Sequence, residues 1–154
     1  MSTDHGFGYQ RSPKWPEVQK AYLAKYPACA ACSSKTRKGP VQVHHIYPFH
    51  FCIALGRPDL ELDERNFITL CEDEHNKPGE DHHLLIGHLD NFQSFNRDVI
   101  VDATQTYHGL TADQIRASKQ WQAKVAKRPK SLDAMSEADK KVLRAELDKR
   151  FPPK

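Results

Sequence analysis

The sequence predicts a small α+β domain stabilised by bound metal. Three observations point there. The chain has 154 residues, 38% hydrophobic and 28% charged, which suits one domain with a modest core. Its metal-binding side chains are crowded together: seven of the nine histidines lie between His44 and His88, and all four cysteines between Cys29 and Cys71. Segments of helical periodicity alternate with short apolar runs of strand length. No run approaches the roughly 18 consecutive apolar residues of a membrane span, and residues 1–10 lack the apolar stretch of a secretory signal. A cytoplasmic protein without disulfides is the expectation.

The first helix is expected over 14–26, where Trp15, Val18, Tyr22, Leu23 and Tyr26 recur at three- and four-residue spacing. Pro16 suits its first turn and Pro27 stops it. Val41, Val43 and Ile46 mark a short strand entered from Lys38-Gly39-Pro40 and broken at Pro48. Residues 67–70 form a second apolar run of strand length. Cys52, inside the apolar run 49–53, belongs to the core. A helix is expected over 84–95, although Gly87 weakens it. Another covers 111–127, opened at Thr111 or Asp113 and ended by Pro129. The last covers 136–151, opened by Ser136 with Asp139 three residues on, a variant of the capping box. Gly56-Arg57-Pro58 and Lys77-Pro78-Gly79 read as loops.

Charge divides the chain. Residues 1–110 carry 11 lysines and arginines against 14 acids; residues 111–154 carry 12 against 6. The chain therefore reads as a domain over 1–110 and a basic helical extension over 111–154. Leu110, Ile115, Trp121 and Val125 are expected to dock one helix of the extension, and Val142, Leu143 and Leu147 the other. The basic face reads equally as a phosphate-contacting surface with salt-dependent nucleic-acid affinity and as an ordinary solvated face.

Cys29-Ala30-Ala31-Cys32 is a C-x-x-C knuckle at a helix end, and Cys71 follows much later. A structural zinc needs four ligands in tetrahedral geometry. The second pair is incomplete, because Glu74 stands where a second C-x-x-C would place cysteine. His82 or His75 would supply the fourth ligand. Buried cysteines or a redox pair are the alternative.

Val43-His44-His45-Ile46, followed by Pro48-Phe49, closes a strand. Asn66-Phe67-Ile68-Thr69-Leu70-Cys71 comes next, then Asp81-His82-His83-Leu84-Leu85-Ile86-Gly87-His88. In order and spacing, these blocks and the knuckle resemble the HNH endonucleases, the His-Me finger or ββα-metal group, in their phage-type branch. The resemblance covers residues 11–100. It implies a ββα-metal finger core with peripheral helices, and divalent-metal-dependent hydrolysis of DNA to 5′-phosphate and 3′-hydroxyl ends. It implies His45 as general base, with Asn66 orienting it by bonding across the loop. His44 and His83 would hold a catalytic ion, joined by His88, and Cys29, Cys32, Cys71 and His82 a structural Zn2+. Relatives have Cys-His before Leu-Leu; here His82-His83 stands there, so His82 would replace the cysteine.

The residue types suit that chemistry. A neutral imidazole accepts a proton near pH 7, and a divalent ion stabilises the phosphate and the departing oxygen. A histidine-rich ion site widens the candidate ions to Mg2+, Mn2+, Ni2+ or Zn2+. Adjacent strand residues point to opposite faces, so His44 and His45 serve one phosphate only from the strand's end. On a regular helix His83 and His88 lie about 140° apart. They share an ion only if the helix is irregular near Gly87; otherwise His88 is a surface or core histidine. Arg11, Lys14, Lys35, Arg37 and Lys38 are expected along the DNA path. The rival reading is a non-catalytic zinc module binding nucleic acid or protein, and RNA is an alternative substrate.

Overall fold

The computed structural model describes residues 10–32, 40–72 and 81–154. The expectations on Lys35, Arg37, Lys38, His75 and Lys77-Pro78-Gly79 lie outside the described residues. Among these, the fold is α+β: one two-stranded antiparallel sheet surrounded by helices. Helix α1 (Trp15–Lys25) has Pro16 in its first turn and ends where the Tyr26 N–H bonds the Tyr22 carbonyl. Strand β1 (Val41–His45) pairs with β2 (Phe67–Cys71), setting Val43 opposite Thr69 and His45 opposite Phe67. Alternation sends Val43, His45 and Phe67 toward α1. There Trp15 and Tyr22 meet Phe67 edge-on, with ring centroids 5.5 and 5.3 Å apart. Ile68 and Leu70 enter the larger hydrophobic cluster.

Pro48 opens α2 (Phe49–Ala54), which buries Phe51 and Cys52 completely. Gly56 lies just beyond its end with φ +79°, a left-handed conformation that glycine adopts without a Cβ clash. Any side chain there would also meet Arg144 Nη1 at 2.7 Å.

The helix expected over 84–95 does not form. A single π-helical turn, His83–Gly87, gives way to irregular chain in which Leu89 and Asp90 have φ 52° and 70°. The carbonyls of this segment are claimed from outside. Trp121 Nε1 donates to Leu85 O (2.8 Å), Asn96 Nδ2 to Ile86 O (3.0 Å), Asn96 N to Gly87 O (3.0 Å) and Arg128 Nη1 to Leu89 O (2.8 Å). Those tertiary bonds satisfy groups that a continuing helix would have paired.

Helix α3 (Val99–Val101), running into a second π-turn at Asp102–Thr106, was not expected from the sequence. The helix expected over 111–127 is two, α4 (Ala112–Ala117) and α5 (Lys119–Ala126). Ser118 separates them: its backbone is extended and its hydroxyl caps the Trp121 N–H, so the chain restarts there. Thr111 and Gln114 form a full capping box on α4. Ser136 caps α6 (Glu137–Arg150).

Ile115, Trp121, Leu143 and Leu147 join the same cluster as the sheet and α2. Val142 does not dock as expected; it is 69% exposed, on the solvent side of α6 beside buried Leu143. Polar bonds fix α6 further. Arg144 Nη1 donates to Leu55 O (2.6 Å), Asp148 accepts from buried Arg57 (2.9 Å), and the Tyr47 hydroxyl bonds Glu146. Burial raises the Tyr47 pKa to about 12, and the Glu146 carboxylate adds to the rise, so this contact stays a neutral donor on an acid. No helix among the described residues is long and apolar enough to cross a membrane.

Candidate functional site

Cys29 and Cys32 leave the end of α1, Cys71 ends β2, and His82 precedes the π-turn. All four are buried and converge. His82 Nδ1 lies 3.0, 3.2 and 3.9 Å from the sulfurs of Cys32, Cys71 and Cys29, and the Cys32 and Cys71 sulfurs are 3.6 Å apart. Ligands around a tetrahedral zinc with bonds of about 2.3 Å stand about 3.7 Å apart, so the set is compatible with a structural zinc. The outer contacts fit too. His82 Nε2–H donates to Leu110 O at 2.9 Å, which leaves Nδ1 as the ligating atom. The Ala31 N–H donates to the Cys29 sulfur at 3.4 Å.

The four side chains perturb one another. Hydrogen bonds from Cys32 and Cys71 hold the Cys29 thiol far below the usual range, while the same contacts push Cys71 up. Burial alone would lower His82, but its bonds to Cys29 and Cys32 outweigh burial and raise it to about 10. A divalent ion bound by these groups would displace the protons they share.

The second cluster joins His44 from β1 with His83 and His88 from the two ends of the π-turn. Their ring centroids are 4.7–5.0 Å apart, and all three are buried. The π-turn resolves the spacing problem, because i→i+5 hydrogen bonding brings residues five apart onto one face. His83 Nε2 and His88 Nε2 are 3.2 Å apart. Gly87 makes room for the third ring: a Cβ there would stand 2.9 Å from His44 Cε1.

Tautomers set the chemistry of this cluster. His83 Nδ1 donates to the Glu72 carboxylate at 2.8 Å and His88 Nδ1 to Ser94 O at 2.8 Å. Both acceptors lack a proton, so each Nδ1 carries the hydrogen and each Nε2 is the atom turned toward the cluster. His44 is 1% exposed and neither of its ring nitrogens has a partner. Burial pushes its pKa well down, and the neighbouring His88 and His83 add to that. His44, His83 and His88 together could hold a cation in this buried pocket.

His45 stands apart from the three. It is the last residue of β1, and its ring lies 4.6 Å from that of Trp15, on the α1 face. Its Nε2 donates to Glu61 O at 2.8 Å, which leaves Nδ1 as the basic atom. Burial pushes its pKa down to about 3, helped by Arg11, against the opposing Glu61 carbonyl.

Asn66 does not bond His45 itself. Its Oδ1 accepts from Tyr47 N (2.9 Å), its Nδ2 donates to Tyr47 O (3.0 Å) and Leu60 O (3.2 Å), and its carbonyl accepts from Ile46 N (2.8 Å). It stitches the chain leaving His45 to the chain entering β2. Arg11 is packed rather than free on the surface. Its guanidinium lies 3.9 Å from the Phe49 ring centre, 4.7 Å from that of Trp15 and 3.7 Å from Glu61. Lys14 is an exposed residue at the start of α1.

Glu72, Ser94 and Glu61 complete the site, and sequence reasoning assigned none of them a role. Only Glu72 left a signal, as the residue following Cys71. No family model, curated protein or solved structure matches the chain.

Proposed function

We propose that the chain is an HNH-type endonuclease that hydrolyses DNA phosphodiester bonds, with a ββα-metal finger formed by β1, β2 and the π-turn. The observation that carries this reading is the convergence of His44, His83 and His88 beside the end of the strand that carries His45. Cys29, Cys32, Cys71 and His82 would hold a structural zinc, and His44, His83 and His88 a divalent ion. When bound, that ion would polarise the phosphate and stabilise the departing 3′ oxygen.

The protein's own residues supply the rest. β1 ends at His45, and this mechanism requires a phosphodiester at the strand's end to meet both its faces. Water attacks phosphorus and gives its proton to His45 Nδ1. The bond from phosphorus to the 3′ oxygen breaks, and that oxygen takes a proton from solvent. The Glu61 carbonyl keeps His45 in the required tautomer, and Asn66 keeps the supporting loop rigid. His45 is neutral at pH 7, and an arriving polyanion raises its proton affinity toward the working range.

The test is cleavage of plasmid DNA, single strands and matched RNA with Mg2+, Mn2+ or Ni2+. The His45→Ala variant should lose about 10²–10⁴-fold in rate while binding the same two ions per chain. Cleavage at the wild-type rate would remove His45 as the base. A count of one ion per chain would favour a non-catalytic zinc module.

A further inference from the structure

The three histidines of the proposed catalytic ion site have unequal outer partners. His88 Nδ1 meets a neutral carbonyl, that of Ser94, whereas His83 Nδ1 meets a carboxylate, that of Glu72, at 2.8 Å. A carboxylate on the far nitrogen draws the N–H proton toward itself and makes the near nitrogen a stronger donor. The contact is sheltered: the His83 side chain is 7% exposed and that of Glu72 26%. Glu72 also has a fixed base, because its N–H donates to Pro40 O at 2.8 Å and extends the β-ladder by one residue. The residue before it is the zinc-cluster ligand Cys71, and the residue before His83 is the zinc-cluster ligand His82. One peptide unit on each side of this hydrogen bond therefore separates the two clusters.

We infer that Glu72 is the positioning residue of the tri-histidine site: it sets the orientation and donor strength of His83 and ties that site to the Cys3His cluster. The inference rests on the proposed ion site and adds a determinant of its affinity. Glu72 acts through His83 and is not itself a ligand.

The experiment is isothermal titration of Ni2+ and Mn2+ into the zinc-loaded full chain, with zinc content and far-UV circular dichroism measured on each variant. Glu72→Gln should weaken the second ion about 10–100-fold, the usual range for loss of such a partner, with one zinc per chain retained. Glu72→Asp keeps the charge with a shorter reach, so its affinity should fall between wild type and Glu72→Gln; it also stands in if Glu72→Gln does not fold. Ni2+ affinity in a folded variant within about threefold of wild type overturns the inference. Complete loss of binding in Glu72→Gln, equal to that in His83→Ala, would make Glu72 a ligand and overturns it too. If His44→Ala and His83→Ala bind the second ion as wild type does, the ion site itself is wrong, a failure distinct from that of Glu72.

Discussion

At the scale of single residues, the site depends on side chains with one geometric task each. Asn66 is fully buried and satisfies the Tyr47 N–H, the Tyr47 carbonyl and the Leu60 carbonyl at once. Truncation to Ala leaves those groups without that partner, at about 1–3 kcal/mol for each buried group left unpaired. Asn66→Ala should therefore lose about 3 kcal/mol or more, a fall in Tm of roughly 10 °C for a chain of this size, measured by thermal denaturation. A fall of less than 2 °C would mean that the loop between the strands does not need the clamp. The candidate ligands were legible because metal chemistry restricts residue type: cysteine and histidine at knuckle spacing have few other uses. Glu61, Glu72 and Ser94 were not, because a carbonyl or carboxylate gains its role only from the ring that the fold brings to it. Arg11 shows the converse, since its charge suggested a phosphate contact and its surroundings are two aromatic rings and Glu61.

At the scale of elements, the segment from His83 to Leu89 contains the main departure from sequence expectation. Periodicity at 100° per residue placed His83 and His88 on different faces, and the structure aligns them by a π-turn. Asp81 caps the start of that turn locally through the Leu84 N–H, while its later carbonyls are held from further along the chain by Asn96 and Trp121. The strands, α1 and α6 were legible because their apolar patterns, Pro16 in α1 and the Ser136 cap of α6 are local, whereas the break at Ser118 resembled a continuing helix. If α5 holds the π-turn in place, Trp121→Phe should keep the packing and lose only the N–H donated to Leu85 O. That exposes a buried carbonyl at about 1–3 kcal/mol and should weaken the second ion while the zinc content stays at one. Unchanged Ni2+ affinity by calorimetry would show that the turn is held without α5.

At the scale of the whole molecule, the extension over 111–154 is part of the same hydrophobic cluster as the sheet. Several of its cations are engaged internally: Lys124 with Asp98 and Asp102, Arg128 with Leu89 O, Arg144 with Leu55 O and Arg150 with Arg97 O. Net charge by segment could not reveal this, because it does not say which cations are committed. The Cys3His cluster has the widest structural reach. Its ligands come from the end of α1, the end of β2 and the start of the π-turn, and His82 Nε2 reaches on to Leu110 just before α4. Metal binding at such a site is folding free energy, about 10–16 kcal/mol for structural zinc in small domains, against a net stability of about 5–15 kcal/mol for a typical domain. Removing zinc should therefore unfold the chain as a unit. Trp15, at the start of α1, packs on His45, and Trp121 bonds the π-turn, so two single-tryptophan variants, Trp121→Phe and Trp15→Phe, report on the two halves separately. A strong chelator should shift both emissions at the same chelator concentration and abolish the helical circular dichroism. A weak chelator that strips only the tri-histidine site should leave both signals intact. If either half keeps its native emission after zinc is lost, the cluster anchors one part of the fold and does not hold the molecule together.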